Sequence, residues 1–275
     1  MTLAPSGHAT VTGIIGLPVG HSRSPAIHNA AYRALGLDWV YVAFPVAVGA
    51  VRDALVGLRA LGAAGCNVTM PHKAEAARAC DELDATAGAV AVVNTVVVRD
   101  GELRGAVTDG DGFVDAAREA GVELDGARVL LVGAGGSARA VAHALGRAGA
   151  RVAVAARRPE AACAVAALAP GARPVPWADL DEAVGASDVV VNATPLGMRH
   201  EAPPFDAERL SAEQVVVDTV YEPEETPLLA AARARGARAL NGLGMLVHQA
   251  ARSFTLFTGE PAPLEVMRAA ARGEA

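Results

Sequence analysis

The run Arg128-Val-Leu-Leu-Val132 leads without a break into Gly133-Ala134-Gly135-Gly136-Ser137-Ala138, and a second β-rich run, Arg151–Ala155, follows one helix length later. No other stretch constrains the fold as tightly. An unbroken apolar run reads as a strand buried on both faces, and a helix-sized gap before the next strand reads as a parallel βαβ crossover. Within the GxGxxA turn, Gly133 permits the tight bend and Gly135 lets backbone approach a pyrophosphate. The small Ala138 allows close helix packing, and the helix N-terminus faces the anion. A glycine-rich turn alone is weak evidence; the complete strand–turn–helix–strand setting carries the reading. Gly133, Ala134, Gly135, Gly136 and Ser137 are therefore candidate pyrophosphate residues. An NAD site places an acid at the end of the second strand to hold the ribose 2′-hydroxyl. Here that position is Ala156-Arg157-Arg158, with no acid before Glu160. Two guanidiniums suit a 2′-phosphate, so the expected cofactor is NADP, held by Arg157 and Arg158.

Alternation of strand and helix extends in both directions. Val11–Gly16, Trp39–Phe44 and Gly65–Thr69 read as strands separated by helical lengths. Val92–Val98 and Glu102–Thr108 flank Asp100-Gly101, a hairpin signal. Further on, Asp188–Asn192, Gln214–Asp218 and Ala237–Leu240 continue the parallel pattern, and Met245 to Phe257 reads as a helix packing back on the first domain. The expected fold is α/β, in two domains separated by a cleft, one holding a mixed sheet and the other a parallel dinucleotide-binding sheet.

Composition narrows the function. The formal net charge is −6 with both signs interspersed, so there is no basic footprint for nucleic acid. No apolar run reaches the length of a membrane span, and the first twelve residues lack the basic and apolar regions of a secretory signal. Three cysteines, Cys66, Cys80 and Cys163, form no CxxC, which suits a reduced, cytoplasmic chain. Of 24 Lys and Arg residues only Lys73 is lysine. A lysine kept where arginine serves everywhere else suggests a task that needs a removable proton.

Lys73 closes the stretch Gly65-Cys-Asn67-Val-Thr69-Met-Pro71-His-Lys73. His21-Ser22-Arg23-Ser24-Pro25 places Ser24 at a helix N-cap and Pro25 at N1, where two hydroxyls could also receive a carboxylate. Ala91-Val-Val-Asn94-Thr95 and Thr108-Asp109-Gly-Asp111-Gly112 bracket the hairpin. Each alone could be turn chemistry. Together and in order, HSRSPxxHN, NVTMPHK, VVNTV, TDGDGF, GAGGSARA, NATPLGM, DTVYEP and NGLGMLVHQA make the chain resemble the shikimate dehydrogenase family across nearly its whole length.

That resemblance implies a discontinuous substrate domain, residues 1–108 plus 242–275, and a Rossmann-type NADP domain, residues 109–241. The implied reaction is the reversible NADPH-dependent reduction of 3-dehydroshikimate to shikimate, in aromatic amino-acid biosynthesis. Carried over by residue, Ser22 and Ser24 hold the carboxylate with help from Tyr221. Asn67, Thr69, Asn94, Asp109 and Gln249 contact the ring hydroxyls, and Lys73 and Asp109 form the catalytic pair. Thr219, Gly242 and Met245 line the nicotinamide pocket. The chemistry agrees: an alkoxide formed by hydride transfer needs a proton donor. None of Tyr32, Tyr41 and Tyr221 has lysine four residues on, and no metal-ligand cluster is visible. The matching family positions do not centre on histidine, so His21, His28, His72 and His248 read as structural or as supports behind the ligand-touching residues, and Arg23 and Asp111 as solvated loop charges rather than ligands.

Two positions depart from the family pattern. Val107 stands where Asn is common before the catalytic Asp, and Ala156-Arg157-Arg158 replaces Asn-Arg-Thr. The alternatives are a quinate/shikimate or aminoshikimate dehydrogenase, and, from another class, a non-catalytic NADP-binding sensor that would have no need of Lys73 and Asp109. The expected partner is a small-molecule substrate, with the protein a monomer or homodimer.

Overall fold

The computed structural model describes residues 5–274, so residues 1–4 of the segment read above for a signal lie outside it. The chain divides into two compact units, Met1–Thr108 with Val247–Ala275, and Asp109–Leu246. The first unit resumes at Val247, inside a helix.

The first unit runs β1 (Thr10–Gly16), α1 (Ser24–Ala34), β2 (Trp39–Pro45), α2 (Val51–Ala60), β3 (Gly65–Val68), α3 (Lys73–Ala79), β4 (Glu82–Leu83), α4 (Ala85–Val90), β5 (Thr95–Arg99) and β6 (Glu102–Ala106). Its sheet is mixed, in the order β2-β1-β3-β5-β6-β4. The three strands β2, β1 and β3 are parallel, β3 meets β5 antiparallel, and β5 and β6 form the hairpin. The β5 strand begins at Thr95, not Val92. Ala91 ends α4 in a left-handed conformation, and the Val93 N–H goes to the Lys73 carbonyl instead of a strand partner. The β6 strand stops at Ala106 because the Thr108 N–H is taken by the Asn94 side chain.

The second unit runs α5 (Asp109–Glu119), β7 (Arg128–Val132), α6 (Gly136–Arg147), β8 (Arg151–Ala155), α7 (Pro159–Ala166), β9 (Arg173–Val175), α8 (Leu180–Gly185), β10 (Val189–Asn192), β11 (Val215–Asp218), α9 (Pro227–Ala234) and β12 (Arg238–Leu240). Helix α10 (Leu243–Thr258) starts in this unit and continues in the first, and α11 (Leu264–Arg272) follows. All strand pairs here are parallel, in the order β12-β11-β10-β7-β8-β9. Alternation within the strands explains the two-faced core. Val129, Leu131, Val189 and Val191 pack with Val141 and Leu145 of α6, while Leu130, Val132, Val190 and Val216 pack with Val184 of α8 and Leu228 of α9. Each such buried side chain contributes about 1.5–3 kcal/mol. The order reverses between β7 and β10, and in open α/β sheets ligands bind beyond the strand ends at such a point.

Among the described residues no helix is long and apolar enough to cross a membrane, and no group of three or more His, Cys, Asp or Glu is placed to hold a metal.

Candidate active site

In the second unit the chain leaves β7 at Gly133, whose φ of +128° suits glycine. A Cβ there would lie 2.6 Å from the Ala193 carbonyl oxygen, so the loops after β7 and β10 meet only because the side chain is absent. Helix α6 then starts at Gly136 with Gly135 as an extended N-cap that offers no side-chain hydrogen bond. The glycine cap supplies no side-chain acceptor of its own, which suits a phosphate anion at the start of the helix. Ala138 is fully buried against the core, as the motif requires.

Asp109 opens α5 and is buried. Its Oδ2 accepts from Ser137 Oγ at 3.2 Å, tying the carboxylate to the glycine loop. Helices α5 and α6 approach so closely at Gly110 that a Cβ there would sit 2.2 Å from the Ala140 carbonyl oxygen. Asp111 is no loop charge: it lies in the first turn of α5 and pairs with Arg147 at 3.4 Å.

Arg157 and Arg158 are exposed at the end of β8, Arg158 as the N-cap of α7. The first acid beyond them is Glu160, with a carboxylate oxygen 4.0 Å from Arg158 Nε.

The ends of β10 and β11 are held by a buried network that sequence reading missed. Asp218 accepts from Asn192 Nδ2 at 2.9 Å, Thr226 Oγ1 at 2.7 Å and the Val220 N–H at 3.0 Å. Burial raises its carboxyl above the ordinary value, and these donors pull the other way. The network shapes the turn carrying Thr219 and the half-buried Tyr221. Gly242 donates its N–H to the Val220 carbonyl at 3.0 Å, and Met245 follows in the first turn of α10, packed on the core.

In the first unit, β3 delivers Asn67, Thr69 and Lys73 in succession. Asn67 is buried; its Nδ2 lies within hydrogen-bond reach of the Asn94 carbonyl, Thr95 Oγ1 and Ser253 Oγ, at 3.0, 3.1 and 2.9 Å, while Oδ1 accepts from the Tyr41 hydroxyl at 2.7 Å. The buried Asn94 donates to Thr108 Oγ1 at 2.9 Å and, at 3.3 Å, to Gln249 Oε1 on α10. Thr69 is half-buried just past the strand, with its N–H bonded to the Ile15 carbonyl. Lys73 is the half-buried first residue of α3, and its carbonyl accepts from Val93, next to Asn94. His72, before it, is buried and bonded to the Val46 carbonyl at 2.8 Å.

Ser24 is not the N-cap of α1. That position is Arg23, and Ser24 is the first helical residue, its N–H donated to Ser22 Oγ at 3.2 Å. The capping oxygen comes from two residues upstream, so Ser22 and Ser24 are joined directly. Arg23 is not simply solvated either: its guanidinium donates to the Ala271 carbonyl at 2.8 Å.

The structure thus joins Ser22 to Ser24, and separately links Asn67, Asn94 and Gln249 with Tyr41, Thr95, Thr108 and Ser253, of which Tyr41 and Ser253 stood in no motif role. Their only sequence signal was a polar atom in an otherwise apolar run.

The family model "Shikimate dehydrogenase substrate binding domain" matches residues 14–96, "Shikimate / quinate 5-dehydrogenase" matches residues 115–202, and "Shikimate 5'-dehydrogenase C-terminal domain" matches residues 242–272. A shikimate dehydrogenase (NADP(+)) of Methanocella arvoryzae is 44% identical over 267 residues, 96% of this chain and 98% of that one. A Thermus thermophilus shikimate 5-dehydrogenase solved with NADP(H) and shikimate is 37% identical with a TM-score of 0.89, covering 97% of this chain and 100% of that one. A Corynebacterium glutamicum quinate dehydrogenase solved with NAD is 34% identical with a TM-score of 0.89, covering 96% of this chain and 99% of that one.

Proposed function

The chain belongs to the shikimate dehydrogenase family, and from that premise we infer that it catalyses the reversible NADPH-dependent reduction of 3-dehydroshikimate to shikimate. The observation that carries the reading is the bond from Ser137, in the glycine loop, to Asp109. It binds a carboxylate suited to substrate work to the loop suited to a dinucleotide.

The residues present fit NADP. The uncapped start of α6 accepts phosphate through Gly133 to Ser137, and two arginines with no intervening acid end β8. Thr219, Gly242 and Met245 would face the nicotinamide. When bound, NADPH supplies a hydride to the ketone carbon.

Lys73 donates its ammonium proton to the carbonyl oxygen as the C=O pair localises there, and takes it back in the oxidation direction. Asp109 orients that ammonium and the adjacent hydroxyl. Ser22 and Ser24, with Tyr221, bind the carboxylate, while Asn67, Thr69, Asn94 and Gln249 select the ring hydroxyls. Those four groups are neutral, so they read hydroxyls by hydrogen-bond geometry, while Asp109 brings a carboxylate to the remaining one. The first unit is then the substrate domain and the second the cofactor domain, acting in the cytoplasm as a monomer or homodimer.

Similarity to a quinate dehydrogenase solved with NAD makes quinate the informative competitor. Initial rates of NADPH or NADH formation with shikimate, quinate and aminoshikimate, each with NADP or NAD, test the assignment. Shikimate with NADP should give the highest kcat/KM, and Lys73→Ala should lower kcat by about 10²–10⁴. Faster turnover of quinate or aminoshikimate would replace the substrate assignment. NADP binding without turnover of any of the three would leave a cofactor-binding sensor.

A further inference from the structure

Gly16 ends β1 and is buried, with a backbone outside the left-handed region, so nothing in its own conformation calls for glycine. Space does. A Cβ at this position would lie 2.4 Å from Thr69 Cγ2, where unbonded carbons rest about 3.5–4.0 Å apart. It would also meet the Met70 carbonyl oxygen at 3.3 Å and Val19 Cβ at 3.4 Å, so the place is closed on three sides. The Thr69 methyl occupies the room that a side chain on Gly16 would need.

Backbone hydrogen bonds hold both partners. The Thr69 N–H donates to the Ile15 carbonyl at 2.9 Å, and the Thr69 carbonyl accepts from the His72 N–H at 2.9 Å. The Gly16 carbonyl accepts from Val46 at 3.1 Å, and the next N–H, that of Leu17, donates to the Met70 carbonyl at 3.0 Å. Drawing either strand end back would break these bonds, which leaves rotation of Thr69 about χ1 as the soft coordinate of the contact. Threonine carries its methyl and its hydroxyl on one Cβ, so fixing the first fixes the second. Among the described residues no group hydrogen-bonds the Thr69 hydroxyl. The seat of the methyl, and not a polar partner, therefore sets its direction. The hydroxyl of this half-buried residue keeps both its proton and its lone pairs for a ligand.

We propose that Gly16 is a positioning residue for the substrate: its missing side chain seats the Thr69 methyl and thereby aims the Thr69 hydroxyl. The proposal rests on the assignment of Thr69 to a ring hydroxyl of the substrate. It divides Thr69 into a foot, held by shape, and a reading group that breaks no internal bond when the ligand arrives.

Gly16→Ala adds one methyl and drives Thr69 off its present rotamer. Shikimate KM should rise about tenfold, the loss expected for one hydrogen bond, with kcat changed much less and NADP KM unchanged. In a Thr69→Ser background the colliding methyl is gone and a hydroxyl remains, so the same substitution should raise KM clearly less. Strain elsewhere in the turn would persist in that background. An unchanged shikimate KM in Gly16→Ala, full additivity of the two substitutions, or an equal rise in NADP KM overturns the proposal. If Gly16→Ala does not fold, wild-type protein labelled at its threonine methyls gives a second readout without ligand. Three-bond couplings from the Thr69 methyl to its own backbone nitrogen and carbonyl carbon should report a single χ1 rotamer, with a nuclear Overhauser contact to the Gly16 α-protons. Couplings averaged over rotamers overturn it. Wild-type protein that turns over no shikimate would instead sink the substrate assignment, and the positioning role with it, while the methyl couplings stay as expected.

Discussion

Both ring nitrogens of His28 are buried without a hydrogen-bond partner, between Tyr41 on one side and Tyr32, Phe254 and Phe257 around it. Burial alone drives its pKa from 6.5 down to about 3. The folded state therefore keeps the ring neutral where the unfolded chain would protonate it. Stability from this residue is full above about pH 6.5 and falls as pH drops, by about 1.4 kcal/mol per unit until about pH 3. Replacing it with phenylalanine keeps the stack and removes the titration. Urea midpoints of His28→Phe should then fall less steeply than wild type between pH 6 and 4, and identical slopes would refute the assignment. This residue also marks where sequence reading stops. His28 was legible as a supporting residue only through the family resemblance, whose matching positions do not centre on histidine. Tyr41 and Ser253 were not legible as members of the polar network, because their partners lie 26 and 186 positions away and nothing local points to them.

At the scale of elements, the turn after β12 depends on an absent side chain. A Cβ on Gly242 would lie 2.1 Å from the Thr219 carbonyl oxygen, which is backbone and cannot swing aside. Gly242→Ala must push the start of α10 away from the end of β11, displacing three of the residues assigned to the nicotinamide. Overpacking costs about 1–3 kcal/mol, so calorimetric titration should show NADP affinity falling roughly tenfold; unchanged affinity would show the turn plays no part in binding. The central strands β7, β8, β10 and β11 were readable because burial on both faces demands unbroken apolar runs, and β-branched residues fill them. Strands β4 and β9 were not: Glu82–Leu83 is an exposed two-residue pair and Arg173–Val175 contains proline, so neither carries a period. They exist because β6 and β8 offer them an edge. The Ser24 error has a similar origin. A serine before proline matches the usual cap pattern, but the helix starts one residue earlier and borrows its oxygen from Ser22.

For the whole molecule, two units with separate tasks should respond separately to ligands. Hydrogen exchange should slow first around Gly133–Arg158 on adding NADP alone, and around Asn67–Asn94 on adding shikimate alone. At about one hundred times Kd, binding stabilises by about 2.7 kcal/mol, enough to read in amide protection. The same pattern with either ligand would contradict the division of labour. Chain order adds a matter of timing. The bond joining Asn67 to Ser253 spans 186 positions, with all of the second unit between its ends. A ribosome making this chain at roughly 5–20 residues per second releases Asn67 and Tyr41 about ten to forty seconds before Ser253. During that interval the sheet of the second unit can finish folding, while the amides assigned to the ring hydroxyls and the His28 imidazole lack the helix that supplies Ser253 and Phe254. The part of the enzyme born first is the part completed last.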